Sequence, residues 1–225
     1  MPPVKITHFS DILCVWAYVG QANLERLAEE FGEEIELEMR FCSVFPDASG
    51  KITAAWGDRG GFKGYAKHVR QVTDRFPGNP LHEDTWSKIQ PASSASPHLF
   101  VKALELVVGE NAQFDRQLVI QAVASLRNAF FAEAQDISDW TVQRRISADL
   151  GADFDKVSSK IETGEAIARL AADYEASQTA NVRGSPTYIL NDGRQILFGN
   201  ISYGILKANV SELLTERRGL SGSPC

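Results

Sequence analysis

The chain is poor in sulfur, with 3 cysteines and 2 methionines in 225 residues. Three cysteines (Cys14, Cys42 and Cys225) are too few to staple a small secreted scaffold. No apolar run approaches the roughly 20 residues that span a bilayer, so no membrane partner is expected. There is no basic cluster, and the formal net charge is -6. That removes the positive field a nucleic-acid partner needs. The four histidines (His8, His68, His82, His98) show no metal-ligand spacing, so no metal site is expected. The opening MPPVKITHFSDIL lacks the charged start and apolar run of a secretory signal. The expected location is the reducing cytoplasm, where a thiol stays a thiol unless it does redox chemistry.

What is present is ordinary globular material: 44% hydrophobic and 23% charged residues, enough for a sizeable core. VKITHFSDIL (4–13) alternates and is rich in β-branched residues, so it reads as a strand. The helix that follows carries Gly20, Leu24, Leu27 and Phe31 on one face and closes at Gly32. EIELEMRFCSVF (34–45) alternates again. Strand, helix, strand favours a parallel pair with a right-handed crossover.

From about Gly61 to Asn181 the pattern is helical. GDRGGFKGYAK (57–67) reads as a flexible connection into that block, since it has no phosphate-loop order. Ser96-Pro97 reads as N-cap and N1 of a helix ending at Gly109. A long helix is expected over Phe114–Glu133, with Ser138 and Asp153 capping two more. An alanine-rich helix covers about Gly164–Gln178. Strands return in SPTYIL (185–190) and QILFG (195–199), a hairpin around Asp192-Gly193. SYGILKANVSELLTER closes as a helix, and the tail RGLSGSPC reads as loose. The expected fold is α/β. A discontinuous unit, 1–60 with 182–225, carries β-α-β and β-β-α, and 61–181 is a large all-helical insertion.

Cys14 stands where the first strand hands over to the first helix. Free N–H groups and the positive end of the helix dipole favour thiolate there, which makes Cys14 the candidate nucleophile. Trp16 beside it is expected to be exposed, whereas Trp56, Trp86 and Trp140 read as core. The second motif is VRGSPTYIL, where Pro186 stands directly before a strand and follows two small residues, Gly184 and Ser185. That suits a cis proline, although proline is also allowed at the first residue of a strand.

Together these motifs resemble the thioredoxin fold, and the helical insertion resembles its DsbA-like branch. SDILCVWAYVG resembles the active-site segment of FrnE-type members, which carry Cys-Pro-Trp-Cys-Tyr. NVRGSPTYILNDGRQILFGNISYGILKANV resembles the family's C-terminal segment, with its Gly-x-Pro-Thr loop and GNISY. PASSASPHLFVKAL falls where such proteins start an inserted helix. The resemblance runs from Lys5 to about Leu214. It implies a thiol-disulfide oxidoreductase, disulfide isomerase-like, with Cys14 and Pro186 as catalytic residues. Val15, Trp16, Ala17 and Ser185 would contact substrate. No tightly bound cofactor is implied; glutathione is the expected co-substrate, with glutathione or another thiol or disulfide compound as partner. A homodimer is admitted alongside a monomer.

The sequence departs from that pattern at Val15, where relatives have proline, and at Ala17, where they have the second cysteine. A lone cysteine can form a mixed disulfide but cannot release itself. Release needs an outside thiol or another cysteine of the chain. Cys42 is the internal candidate, although a strand cysteine is usually a small buried hydrophobe. Kappa-class glutathione transferases and hydroxychromene-carboxylate isomerases are more distant relatives. They place serine where Cys14 stands and Gly-x-Asp-Arg before the last helix. Here the residues are Gly199-Asn200-Ile201-Ser202. Asn200 and Ser202 either bind a carboxylate at the helix start or simply cap it. A binding module without catalysis is the remaining rival.

Overall fold

The computed structural model describes residues 2–109 and 116–217. Strand β1 (Val4–Ser10) is the first of four. Helices α1 (Val15–Val19) and α2 (Gln21–Phe31) lead to β2 (Ile35–Phe41). Seven helices follow: α3 (Ala48–Trp56), α4 (Gly61–Thr73), α5 (Ala95–Gly109), α6 (Arg116–Arg127), α7 (Trp140–Asp149), α8 (Phe154–Glu162) and α9 (Glu165–Thr179). A wider helical turn, Asn128–Ala132, extends α6. Strands β3 (Thr187–Leu190) and β4 (Gln195–Phe198) and helix α10 (Tyr203–Arg217) close the chain. The sheet order is β2-β1-β3-β4. β1 runs parallel to β2 with Val4 opposite Ile35, and antiparallel to β3 with Phe9 opposite Thr187. This is the expected α/β sheet unit with helices inserted between its halves.

Alternation decides which face each strand buries. Ile35, Leu37, Met39 and Phe41 enter the core, while Glu36, Glu38 and Arg40 stay half-exposed. Leu24, Leu27 and Phe31 form the buried stripe of α2. One continuous core runs from the sheet into the inserted helices. Its central helix is α5, buried almost all round. His98 of α5 stacks on Phe41 with ring centres 4.1 Å apart.

A buried ion pair joins α5 and α9 to the outer edge of β2. Lys102 Nζ lies 2.8 Å from Asp173 Oδ2 and donates to the Met39 carbonyl at 3.0 Å. Asp173 in turn accepts the Phe41 N–H at 3.0 Å. Two outward-facing backbone groups of β2 are thus satisfied by side chains.

Several local expectations are corrected. The first helix breaks in two at Gly20 rather than running through. A side chain there would put its Cβ 3.1 Å from Asn200 Oδ1 and 3.2 Å from the Trp16 carbonyl, a close fit that glycine relieves. Helices begin at Ala48, not near 61, and GDRGGFKGYAK is largely the start of α4. Helix α5 starts at Ala95, one residue ahead of Ser96. Asp139 rather than Ser138 caps α7, accepting the Thr141 N–H at 2.8 Å. Asp153 caps α8 as expected. Trp86 is fully buried, but Trp140 is 44% exposed, lying edge-on to Phe154 at the surface. Cys225, the tail from 218 and the expected helix start at Phe114 lie outside the described residues.

Candidate active site at Cys14

The turn from β1 to α1 is closed by the Cys14 N–H donating to the Asp11 carbonyl at 3.2 Å. Cys14 is the N-cap residue, and its carbonyl accepts the Ala17 and Tyr18 N–H groups at 3.1 and 3.0 Å. Its Sγ–H donates to the Ser185 carbonyl at 3.3 Å. The Ser185-Pro186 bond is cis. The two sequence motifs, 171 residues apart, therefore meet at the sulfur.

The thiol is not lowered as its position promised. Cys14 is only 6% exposed, and burial pushes its pKa up. A side-chain hydrogen bond with Ser185 and the Ala17 and Trp16 amides pull it down, while the Asp11 charge adds to the rise. Helix α1 has 5 residues, so few aligned peptide dipoles are available to offset desolvation.

Val15 and Ala17 are each 2% exposed and turn their side chains inward. Trp16 is half-buried and lies edge-on to Phe76, with ring centres 6.2 Å apart. Asn200 packs at Gly20, where α1 meets α2, with its Oδ1 3.1 Å from where a Cβ at that position would lie. The Ser202 carbonyl accepts the Ile205 and Leu206 N–H groups and opens α10. Cys42 is a free, buried thiol in a small apolar cluster with Phe9 and Ile189. Its N–H donates to the Ser10 carbonyl at 3.1 Å, and burial pushes its thiol far up as well. A groove of about 500 Å³ along β1, β2 and α9 has Phe9, Ile189 and Ile196 in its wall and does not include Cys14.

Three buried polar residues behind the sulfur escaped the sequence reading or were underrated by it. Asp11 is fully buried, and its carboxylate accepts from the Leu13, Val44 and Phe45 amides and the Ser94 hydroxyl. His98 accepts the Ile12 N–H on Nε2 at 3.2 Å, which leaves Nδ1 to donate to the Tyr174 hydroxyl. Burial holds His98 down to about 4, so it is neutral. Arg127 reaches the Ser10 hydroxyl at 2.9 Å and also bonds Gln21. The one signal for Asp11 was an acidic residue between a strand end and the apolar run ILCVWA.

A model of the DSBA-like thioredoxin domain matches residues 80–211, more than half of the chain. The chain belongs to that family. DSBA-like proteins supply its structural neighbours too. A putative protein disulfide isomerase from Nitrosomonas europaea superposes with a TM-score of 0.77 at 14% identity, over 95% of this chain and 98% of that one. The cytosolic disulfide reductase DsbM from Pseudomonas aeruginosa gives 0.69 at 19%, over 96% and 100%. A 2-hydroxychromene-2-carboxylate isomerase gives 0.68 at 18%, over 97% and 100%. These likenesses carry the fold. Among curated proteins, the ClpXP adapter protein SpxH of Halalkalibacterium halodurans is 25% identical over 193 residues, 83% of this chain. The chain spans 58% of the length of that relative. No helix among the described residues is long and apolar enough to cross a membrane.

Proposed function

We propose that the chain is a cytoplasmic thiol-disulfide oxidoreductase that works with one cysteine. The observation that carries this reading is the Cys14 sulfur, 3.3 Å from the Ser185 carbonyl at the cis proline. Cys14 loses its proton to solvent and attacks one sulfur of a substrate disulfide. The old S–S bond breaks, its electron pair leaves with the departing thiolate, and Cys14 holds a mixed disulfide. Ala17 offers no second thiol, so a glutathione thiolate attacks that bond and frees Cys14. The sum is one disulfide exchanged for another. The backbone before Pro186 holds an extended substrate strand, and Trp16 gives it an apolar contact. DsbM has also been solved with GSH, which supports glutathione as the second thiol.

A second reading has its own observation. The buried, raised thiol favours a module that binds a partner without turning over, and SpxH is named as an adapter. The glutathione transferase or isomerase reading has less support, because Gly199-Asn200-Ile201-Ser202 stands where those relatives carry Gly-x-Asp-Arg. Intact mass after incubation with oxidised glutathione separates them. A single glutathione on Cys14, absent in Cys14→Ser and removed by reduced glutathione, is the expected result. No adduct, with the chain folded, would favour the binding module; turnover of electrophiles without an adduct would favour the transferase.

A further inference from the structure

Asp11 and Arg127 are the two charged side chains that lie fully buried next to the Cys14 turn. The Asp11 carboxylate faces four donors: Leu13 N–H at 2.9 Å, Val44 and Phe45 N–H at 3.0 Å each, and the Ser94 hydroxyl at 2.7 Å. Oδ1 takes the Leu13 donor and Oδ2 the other three, so both carboxylate oxygens are engaged. The Asp11 backbone joins in, donating to Ser185 Oγ at 2.9 Å and accepting from the Cys14 N–H. One residue therefore ties together the Cys14 turn, the loop after β2, the start of α5 and the loop before Pro186. Arg127 comes in from α6 and bonds Ser10, the neighbour of Asp11. Its partners are neutral, Ser10 Oγ and Gln21 Oε1, and its Nε has no acceptor among the described residues. The guanidinium is thus hydrogen-bonded only to neutral acceptors, while Cys14, Asp11 and Glu25 act on it through space.

We propose that Asp11 and Arg127 are positioning residues that set the charge state of Cys14 with opposite sign. Asp11 fixes the turn and favours the thiol; Arg127 favours the thiolate. The groups facing the sulfur support this opposition. Asp11 raises Cys14 from its own turn, and the Cys14 charge in turn favours the Arg127 cation. The others interacting with it are Cys42 after β2 and Tyr65 on α4, both kept neutral by burial, while neutral His98 on α5 faces Asp11. The consequence deepens the thiol-exchange reading and rests on it. A cysteine held as thiol is a slow leaving group, so a mixed disulfide on Cys14 is long-lived. The balance of the two charges sets that lifetime.

The test is the pH profile of Cys14 alkylation by iodoacetamide, assigned by peptide mass, in the full chain. Asp11→Asn is expected to move the midpoint down and speed alkylation at neutral pH by about three- to fourfold per unit moved, the thiolate gain being partly offset by weaker nucleophilicity. Arg127→Gln is expected to move it up, and Arg127→Lys to restore the parent profile. Ser94→Ala keeps the charge and loses one bond, so its midpoint stays. Opposite shifts cannot come from mere loosening, which would move both variants the same way. Equal-direction shifts, or a Ser94→Ala shift matching Asp11→Asn, would overturn the proposal. Should Asp11→Asn fail to fold, Gln21→Glu places a carboxylate on the guanidinium. An upward midpoint is expected there, and an unmoved one overturns the assignment. A parent that never accepts glutathione would sink the oxidoreductase reading and leave these titrations standing.

Discussion

Replacing Ala17 with cysteine would set a second thiol one helical turn after Cys14. The Ala17 N–H already bonds the Cys14 carbonyl at 3.1 Å, and residues three apart on a helix face each other. Their Cα separation falls within the roughly 4.4–6.8 Å a disulfide needs. Ala17 is 2% exposed, so a sulfur added there must fit a packed slot. Overpacking of that kind costs about 1–3 kcal/mol. Closing so short a loop with a disulfide offsets about 2 kcal/mol of that by restricting the unfolded chain. The two nearly cancel, and the oxidised variant should melt within a few degrees of the parent. The new thiol can attack a mixed disulfide on Cys14 from within the chain. Insulin reduction, run with and without glutathione, reads the difference. The parent should depend on glutathione, and Ala17→Cys should not. A variant that forms the new disulfide, melts like the parent and still gains no reductase activity would refute the assignment of Cys14 as an exchange nucleophile.

Cys42→Ala should leave turnover nearly intact, because glutathione completes the cycle; a Cys14 mixed disulfide that persists only in this variant would reassign the resolving thiol. Lys102→Met strands the buried Asp173 carboxylate and should cost about 3–5 kcal/mol in urea unfolding. A loss below about 1 kcal/mol would mean the pair adds nothing to the fold. Stability should also fall with acid. Burial lowers His98 to about 4 and His8 to about 3, while unfolded histidine titrates near 6.5. The unfolded chain thus binds protons first. Stability is complete above about pH 6.5 and declines below it, by up to about 1.4 kcal/mol per unit for each histidine. Urea midpoints that stay flat from neutral pH down to about 4.5 would contradict both burial assignments.

The strands and the two site motifs were legible because alternation and proline placement are local signals. Ile35 to Phe41 announced its buried face, and Ser185-Pro186 announced the turn. Helices α3 and α4 were not, since ASGKITAAW offers only two large apolar residues, Ile52 and Trp56, and three glycines obscure GGFKG. Asn200 approaches Gly20 from 180 residues later, and no local pattern records that approach. The same limit hid Asp11. Three of its four donors, Val44, Phe45 and Ser94, are brought to it only by the finished fold. The upward push of burial on the Cys14 thiol was hidden for a related reason. Helix-end position is visible in a sequence, but the depth of the sulfur and the length of the helix are not.

The Lys102–Asp173 pair at the border of β2 bears on how copies of this chain can associate. A sheet that grows by adding strands needs two open borders, one to receive and one to offer. Here the β2 border has a lysine on the Met39 carbonyl and a carboxylate on the Phe41 amide. An incoming strand would have to displace a buried ion pair to dock there. Only β4, at the other end of the order β2-β1-β3-β4, remains as a border. Two copies joined border to border through β4 would have no further strand to offer. Among the described strands, growth by strand addition through these two borders would stop at two copies.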